Sequence, residues 1–227
     1  AIRVWLPLAT SRQPPACGAV GLQRLVYLGG PLPPEDTPSA HLASRLTVER
    51  ILLGATPCSV ALRASIVIGA QSRSFRFLVR LVERLPVLPL PAWHVNRTSP
   101  IDERDIIELL VRAATAEGVC GLALEAAGPE AVSYGELIDR IRHHMLVGRP
   151  TIAFRRLRLT PIVSRVAAVI GSERHELMGT MMESLDQNLL VAENSAVELL
   201  GVRLHSLDAA IERALRDWEE REPLAAR

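Results

Sequence analysis

The chain contains no lysine; all 26 of its basic residues are arginine. That absence removes several chemistries at once. A phosphate-loop lysine, a Schiff-base lysine and the lysine of a Tyr-x-x-x-Lys acid–base dyad cannot occur here. Glycine is scattered. Neither Gly-x-Gly-x-x-Gly nor Gly-x-x-Gly-x-x-Gly appears, and the glycines of "GVCG" and "AAGPE" have the wrong spacing. The turn that brings a dinucleotide pyrophosphate onto a helix N-terminus is therefore not encoded in this sequence. There is no Gly-x-Ser-x-Gly nucleophile elbow either.

Cysteine is sparse, with Cys17, Cys58 and Cys120 far apart and no Cys-x-x-Cys among them. The spacing argues against a redox pair or zinc knuckle and predicts buried thiols in a protein of the reducing cytoplasm. A formal net charge of +1 excludes the clustered basic excess that nucleic acid requires, and "FRRLRL" (154–159) is too short to reverse that. Long apolar runs are missing as well. The longest, "LTPIVSRVAAVIG" (159–171), is too short to span a bilayer and carries Arg165 near its middle, so an integral membrane protein is not expected. The opening residues lack the pattern of a secretory leader. His143 and His144 are adjacent, so on a helix they diverge and cannot form an i, i+4 metal pair; no metal site is expected.

What is present is an ordinary globular balance, 48% apolar and 22% charged over 227 residues. That length suffices for one sizeable core. "IRVWL" (2–6) and "RLVYLGG" (24–30) read as strands, the second closed by Gly29, Gly30 and a proline-rich turn. A helix follows from about Ser39 to Leu53. "SVALRASIVIG" (59–69) is a β-branched run suited to a parallel sheet covered on both faces. "SRSFRFLVRLVERL" (72–85) is an amphipathic helix, and residues 86–100 read as proline-punctuated loop. "DERDIIELLVRAATA" (102–116) is helical, with acidic residues that complement its dipole. "VCGLALEAAG" (119–128) is another strand. "SYGELIDRIRHHM" (133–145) opens on a capping box, Ser133 with Glu136. Further helices are expected near 173–192 and 206–220. Alternating strands and helices indicate an α/β fold with a parallel sheet, then a mainly helical C-terminal part. The expected division is residues 1–150 and a helical extension, 151–227, packed on the same domain.

Together these segments resemble the atypical short-chain dehydrogenase/reductase superfamily, in a branch of bacterial NAD(P)H-binding proteins related to an accessory subunit of respiratory complex I. The resemblance runs from about Leu22 to Trp218 and rests on "GLQRLVYLGG", "SAHLASRLTVE", "LRASIVIGAQSRSF", "RLPVLPLPAW", "SPIDERDIIELL" and "EAAGPEAVSYGELI", in the family's order. It implies a partial Rossmann-like sheet, NAD or NADP as cofactor, and kinship with oxidoreductases and nucleotide-sugar epimerases. In the family the glycine fingerprint lies roughly a hundred residues before the strand that "RLVYLGG" resembles. The expectation is therefore a member lacking the N-terminal half of its Rossmann domain.

The resemblance also places the candidate site. Family enzymes use a serine after this strand and a Tyr-x-x-x-Lys on the next helix. The matching positions are Gly29 or Gly30, His41 and Arg45, none with the standard residue. His41 is able to shuttle a proton near neutral pH, and Arg45, one helical turn away, to bind a ribose or phosphate oxygen. The competing reading gives His41 a local hydrogen bond and pairs Arg45 with a carboxylate such as Glu49. Gly29 and Gly30 permit close backbone approach to a cofactor. Arg63, Ser65 and Ile66 match the strand end lining the nicotinamide side of the family's pocket; Arg63 is equally readable as a buried charge paired with Asp102 or Asp105. Three functional outcomes follow: an NAD(P)-dependent oxidoreductase or epimerase-like enzyme, a non-catalytic protein binding a small-molecule ligand or partner, or an inactive remnant. An uncovered edge at residues 24–28 would favour homo-oligomers, and residues 2–6 are expected to cover it.

Overall fold

A computed structural model of the chain describes residues 21–32, 40–90, 92–148, 150–153, 185, 188–191 and 193–222. Its centre is a parallel three-stranded sheet of β1 (Arg24–Gly29), β2 (Cys58–Ala64) and β7 (Ala123–Ala126), in the order β1–β2–β7. Helix α1 (Ala40–Leu53) makes the crossover between β1 and β2. Strand alternation sends neighbouring side chains to opposite faces. Val26, Leu28, Val60, Leu62 and Leu124 therefore enter one buried cluster with α3 (Glu103–Ala113) and α5 (Ser195–Leu200). Tyr27 and Arg63 point to the other face, where each meets a residue of α1.

The apolar run at 59–69 is not one strand. After Ala64 the amide of Ser65 donates to Ala126 O (3.1 Å), and the chain then leaves the sheet. β3 (Val67–Ile68) pairs in parallel with β6 (Ile101–Asp102) instead. The Ser65 hydroxyl fixes this departure, sharing a hydrogen bond with Thr98 Oγ1 (2.8 Å) and accepting one from the Ser99 amide (3.2 Å).

Helix α2 (Arg73–Arg84) starts at the Ser72 cap and buries Phe75, Leu78, Val79 and Val82, the i, i+3, i+4, i+7 stripe. It packs against α4 (Tyr134–His144) and, with Trp93, the cluster also takes in α6 (Leu207–Glu219) through Leu207, Ile211, Leu215 and Trp218. Each large apolar side chain so buried contributes about 1.5–3 kcal/mol. Residues 86–100 are more ordered than their prolines suggest. They form β4 (Leu88–Leu90), a 3-10 turn (Ala92–Val95) and β5 (Arg97–Thr98), with β4 parallel to β9 (Thr151–Ala153) and β5 antiparallel to β8 (Val132–Ser133).

Leu189 forms a parallel bridge with Thr98, so the end of the helix expected at 173–192 is extended; most of that span, and the strand expected at 2–6, lie outside the described residues. The expected helices at 72–85, 102–116, 133–145 and 206–220 are all present, the third with both halves of its capping box. The cysteine expectation is corrected. Cys58 and Cys120 form a disulfide, with Cys120 exposed and Cys58 half-buried. Their separation of 62 residues hid the pair, because only the parallel register of β2 and β7 brings the two together. Closing a loop of that length stabilises the fold by about 4 kcal/mol in the chain-entropy model.

Candidate functional site

In an open parallel sheet, ligands are held beyond the C-terminal ends of the strands. Here that edge is built from Gly29 at the end of β1 and Gly30 after it, Arg63 to Ile66 at the end of β2, and the first turns of α1. All seven residues expected at the site come from these segments, but most are already engaged by other parts of the protein.

Arg63 is bound on two sides. Its Nη2 and Nε donate to the Glu49 carboxylate at 2.7–3.2 Å, and its Nη1 to Glu125 Oε1 at 3.1 Å. The hydrogen bonds that it donates to Glu49 lead the forces raising its pKa above the ordinary guanidinium value, against the opposing effect of burial. Burial raises the pKa of the Glu125 carboxyl and outweighs the opposing pull of Arg63. Asp102 and Asp105 are not its partners. Asp102 caps α3 and binds Arg104, while Asp105 accepts from His205 Nδ1 (2.5 Å) and from the His205 amide (2.9 Å). Burial would raise the Asp102 pKa, but hydrogen bonds and charge from Arg104 leave it lowered.

Arg45 does not pair with Glu49 either, since Arg63 occupies that carboxylate. Its Nη2 donates to Leu28 O (3.3 Å), and its own carbonyl accepts weakly from the Tyr27 hydroxyl (3.5 Å). His41 falls in the first turn of α1, and its side chain lies outside the described residues. Gly29 is buried, and a Cβ there would lie 3.1 Å from Tyr27 Cε1 and 3.6 Å from Glu49 Oε2. Its bare backbone makes room for the Tyr27 ring beside the Arg63–Glu49 pair. Ile66 is half-buried against the α2–α4–α6 cluster, and its carbonyl accepts from the Ile101 amide (3.0 Å).

Sequence reasoning missed one buried polar line. Tyr134, 2% exposed, lies beside Thr98, whose hydroxyl meets that of Ser65. Burial pushes the Tyr134 phenol up to about 12. Nothing local signalled this line, because Ser65, Thr98 and Tyr134 are brought together only by β5 and α4. Among the described residues no group of three or more His, Cys, Asp and Glu is arranged to hold a metal ion. No helix among them is long and apolar enough to cross a membrane.

No protein-family model matches this chain, and no curated protein matches it by sequence. Solved structures do match. MoeE5 in complex with UDP-glucose and NAD is 20% identical with a TM-score of 0.64, over 93% of this chain and 70% of that one. The Thermus thermophilus UDP-glucose 4-epimerase complex with NAD is 14% identical with a TM-score of 0.63, over 92% and 68%. The dTDP-glucose 4,6-dehydratase of Bacillus anthracis, in complex with NAD, is 12% identical with a TM-score of 0.62, over 94% and 67%. The chain shares the fold of these three enzymes. The expected Rossmann-type architecture is thereby shown, and the chain spans about 70% of the length of the first of these enzymes.

These three neighbours are in complex with NAD, and the residues present here can be tested against such a dinucleotide. Arg45, Arg63 and Ser65, the polar candidates whose side chains are described, each have protein partners, and no Gly-x-Gly-x-x-Gly is present for the pyrophosphate. These residues do not fit the group.

Proposed function

We propose that this protein is a relative of NAD(P)-dependent oxidoreductases and epimerases whose strand-end residues serve as structural ties in place of hydride-transfer chemistry. It acts as a non-catalytic protein that binds a small-molecule ligand or a partner. One observation carries this reading: Arg63, at the position that lines the nicotinamide side in the family, is engaged by Glu49 and Glu125 together. A guanidinium shared by two carboxylates has few donors left for a ribose or phosphate oxygen. NAD or NADP is the cofactor class that the resemblance brings, and the cytoplasm the compartment.

Calorimetric titration of the full chain with NADH and with NADPH tests the reading. Binding weaker than about 1 mM for both is expected. Tight binding accompanied by turnover that a His41→Ala substitution abolishes would overturn it and restore His41 and Arg45 as the acid–base pair.

A further inference from the structure

At the opposite end of the sheet from the candidate site, Cys120 sits in a turn between Gly118 and Gly121, both with φ of 78°. Its sulfur is bonded to Cys58, the first residue of β2. The Arg24 guanidinium lies against it, with Nη2 3.7 Å from Cys120 Sγ. That guanidinium is held there, its Nη1 donating to Ala113 O (3.2 Å) and Ala116 O (2.7 Å) at the end of α3. The backbone around the pair is tied independently of the sulfurs. Gly121 N donates to Ser59 O (2.7 Å), Ala61 N to Leu122 O (2.9 Å) and Cys58 N to Gln23 O (3.1 Å). Opening the S–S bond therefore leaves the two cysteines facing each other.

We propose that Cys58, Cys120 and Arg24 form a reversible thiol–disulfide exchange site for low-molecular-weight thiols and disulfides of the glutathione type. The exposed Cys120 is the sulfur that meets the small molecule, and the half-buried Cys58 resolves the adduct. A fixed cation beside Cys120 favours its thiolate, the reactive form. Starting from the dithiol, the Cys120 thiolate attacks one sulfur of glutathione disulfide. That S–S bond breaks, one glutathione leaves as thiolate and the other stays on Cys120. Cys58 then gives its proton to solvent and attacks the Cys120 sulfur, releasing the second glutathione. Two electrons pass from the two protein thiols to glutathione disulfide, and excess glutathione drives the same steps backwards. Nothing in this depends on a dinucleotide.

The test equilibrates the full chain in glutathione buffers of graded ratio, alkylates free thiols and maps them by peptide mass spectrometry. Expected are a Cys58–Cys120 cross-link in oxidising buffer, two alkylated cysteines in reducing buffer, and full recovery of the link on return. A Cys58→Ser chain should accumulate glutathione on Cys120. In the fully reduced chain, Arg24→Gln should slow alkylation of Cys120 by roughly tenfold at neutral pH, and Arg24→Lys should recover most of the rate. Equal rates with and without Arg24, or glutathione collecting on Cys17 while Cys58 and Cys120 never link, would overturn the proposal. Circular dichroism of the reduced chain and of each variant checks that the rates are read on folded protein.

Discussion

Glu49 is the residue on which the candidate site turns. Its carboxylate is 4% exposed and its described partner is Arg63, at 2.7 Å. A buried ion pair adds little net stability over a well-packed apolar pair, yet removing one member leaves a desolvated charge behind. Arg63→Met should therefore destabilise the fold by about 3–5 kcal/mol. The double change Arg63→Met with Glu49→Leu should recover much of that, because only the more exposed Glu125 carboxylate is then left without its cation. Urea denaturation of both variants reads the difference. If the single variant loses less than the double, Arg63 is not the residue that makes the buried carboxylate tolerable. The same experiment bears on function, since a structural tie predicts lost stability where a cofactor ligand predicts lost binding.

Helix starts carry their own chemistry. Ser133 accepts from the Glu136 amide (3.1 Å) while the Glu136 carboxylate accepts from the Ser133 amide (2.6 Å), satisfying two donors at the head of α4. The Glu136 pKa is lowered chiefly by that backbone hydrogen bond. Ser133→Ala should cost about 1 kcal/mol, seen as a lower urea midpoint with unchanged slope; no shift would mean that water replaces the cap without penalty. Such caps are legible in sequence because they need only residues three apart, and the helices were read on the same local grounds. The strand at 59–69 was harder. β2 and β3 share one apolar run, and what divides them is a hydroxyl contact to Thr98, 33 residues on. Residues 86–100 read as loop because strands of two or three residues show no periodicity and depend on distant partners. The site failed to read for a related reason. Arg45 and Glu49 lie one turn apart on α1, which suggests a pair, but the register that sets Gly29 opposite Arg63 delivers the Arg63 guanidinium to that carboxylate instead.

Two buried clusters make up the described molecule, one between the sheet, α3 and α5, the other among α2, α4 and α6. The line Ser65–Thr98–Tyr134 runs between them, from the end of β2 to the first residue of α4. Alkaline pH addresses this line directly, because the chain has no lysine and only two tyrosines. Between about pH 10 and 12 most proteins shed protons from many lysines at once; here that background is missing. The Tyr134 phenol, raised to about 12 by burial, keeps its proton in the folded protein while the unfolded chain loses it near the ordinary phenol value of about 10. The unfolded state then binds fewer protons, so stability is fully present below about pH 10 and falls as pH rises towards 12, by about 1.4 kcal/mol per unit. The total loss should approach 3 kcal/mol. Urea unfolding across that range should show this slope, and Tyr134→Phe should flatten it. A slope that persists in Tyr134→Phe would place the titration elsewhere and remove Tyr134 as the buried join between the clusters.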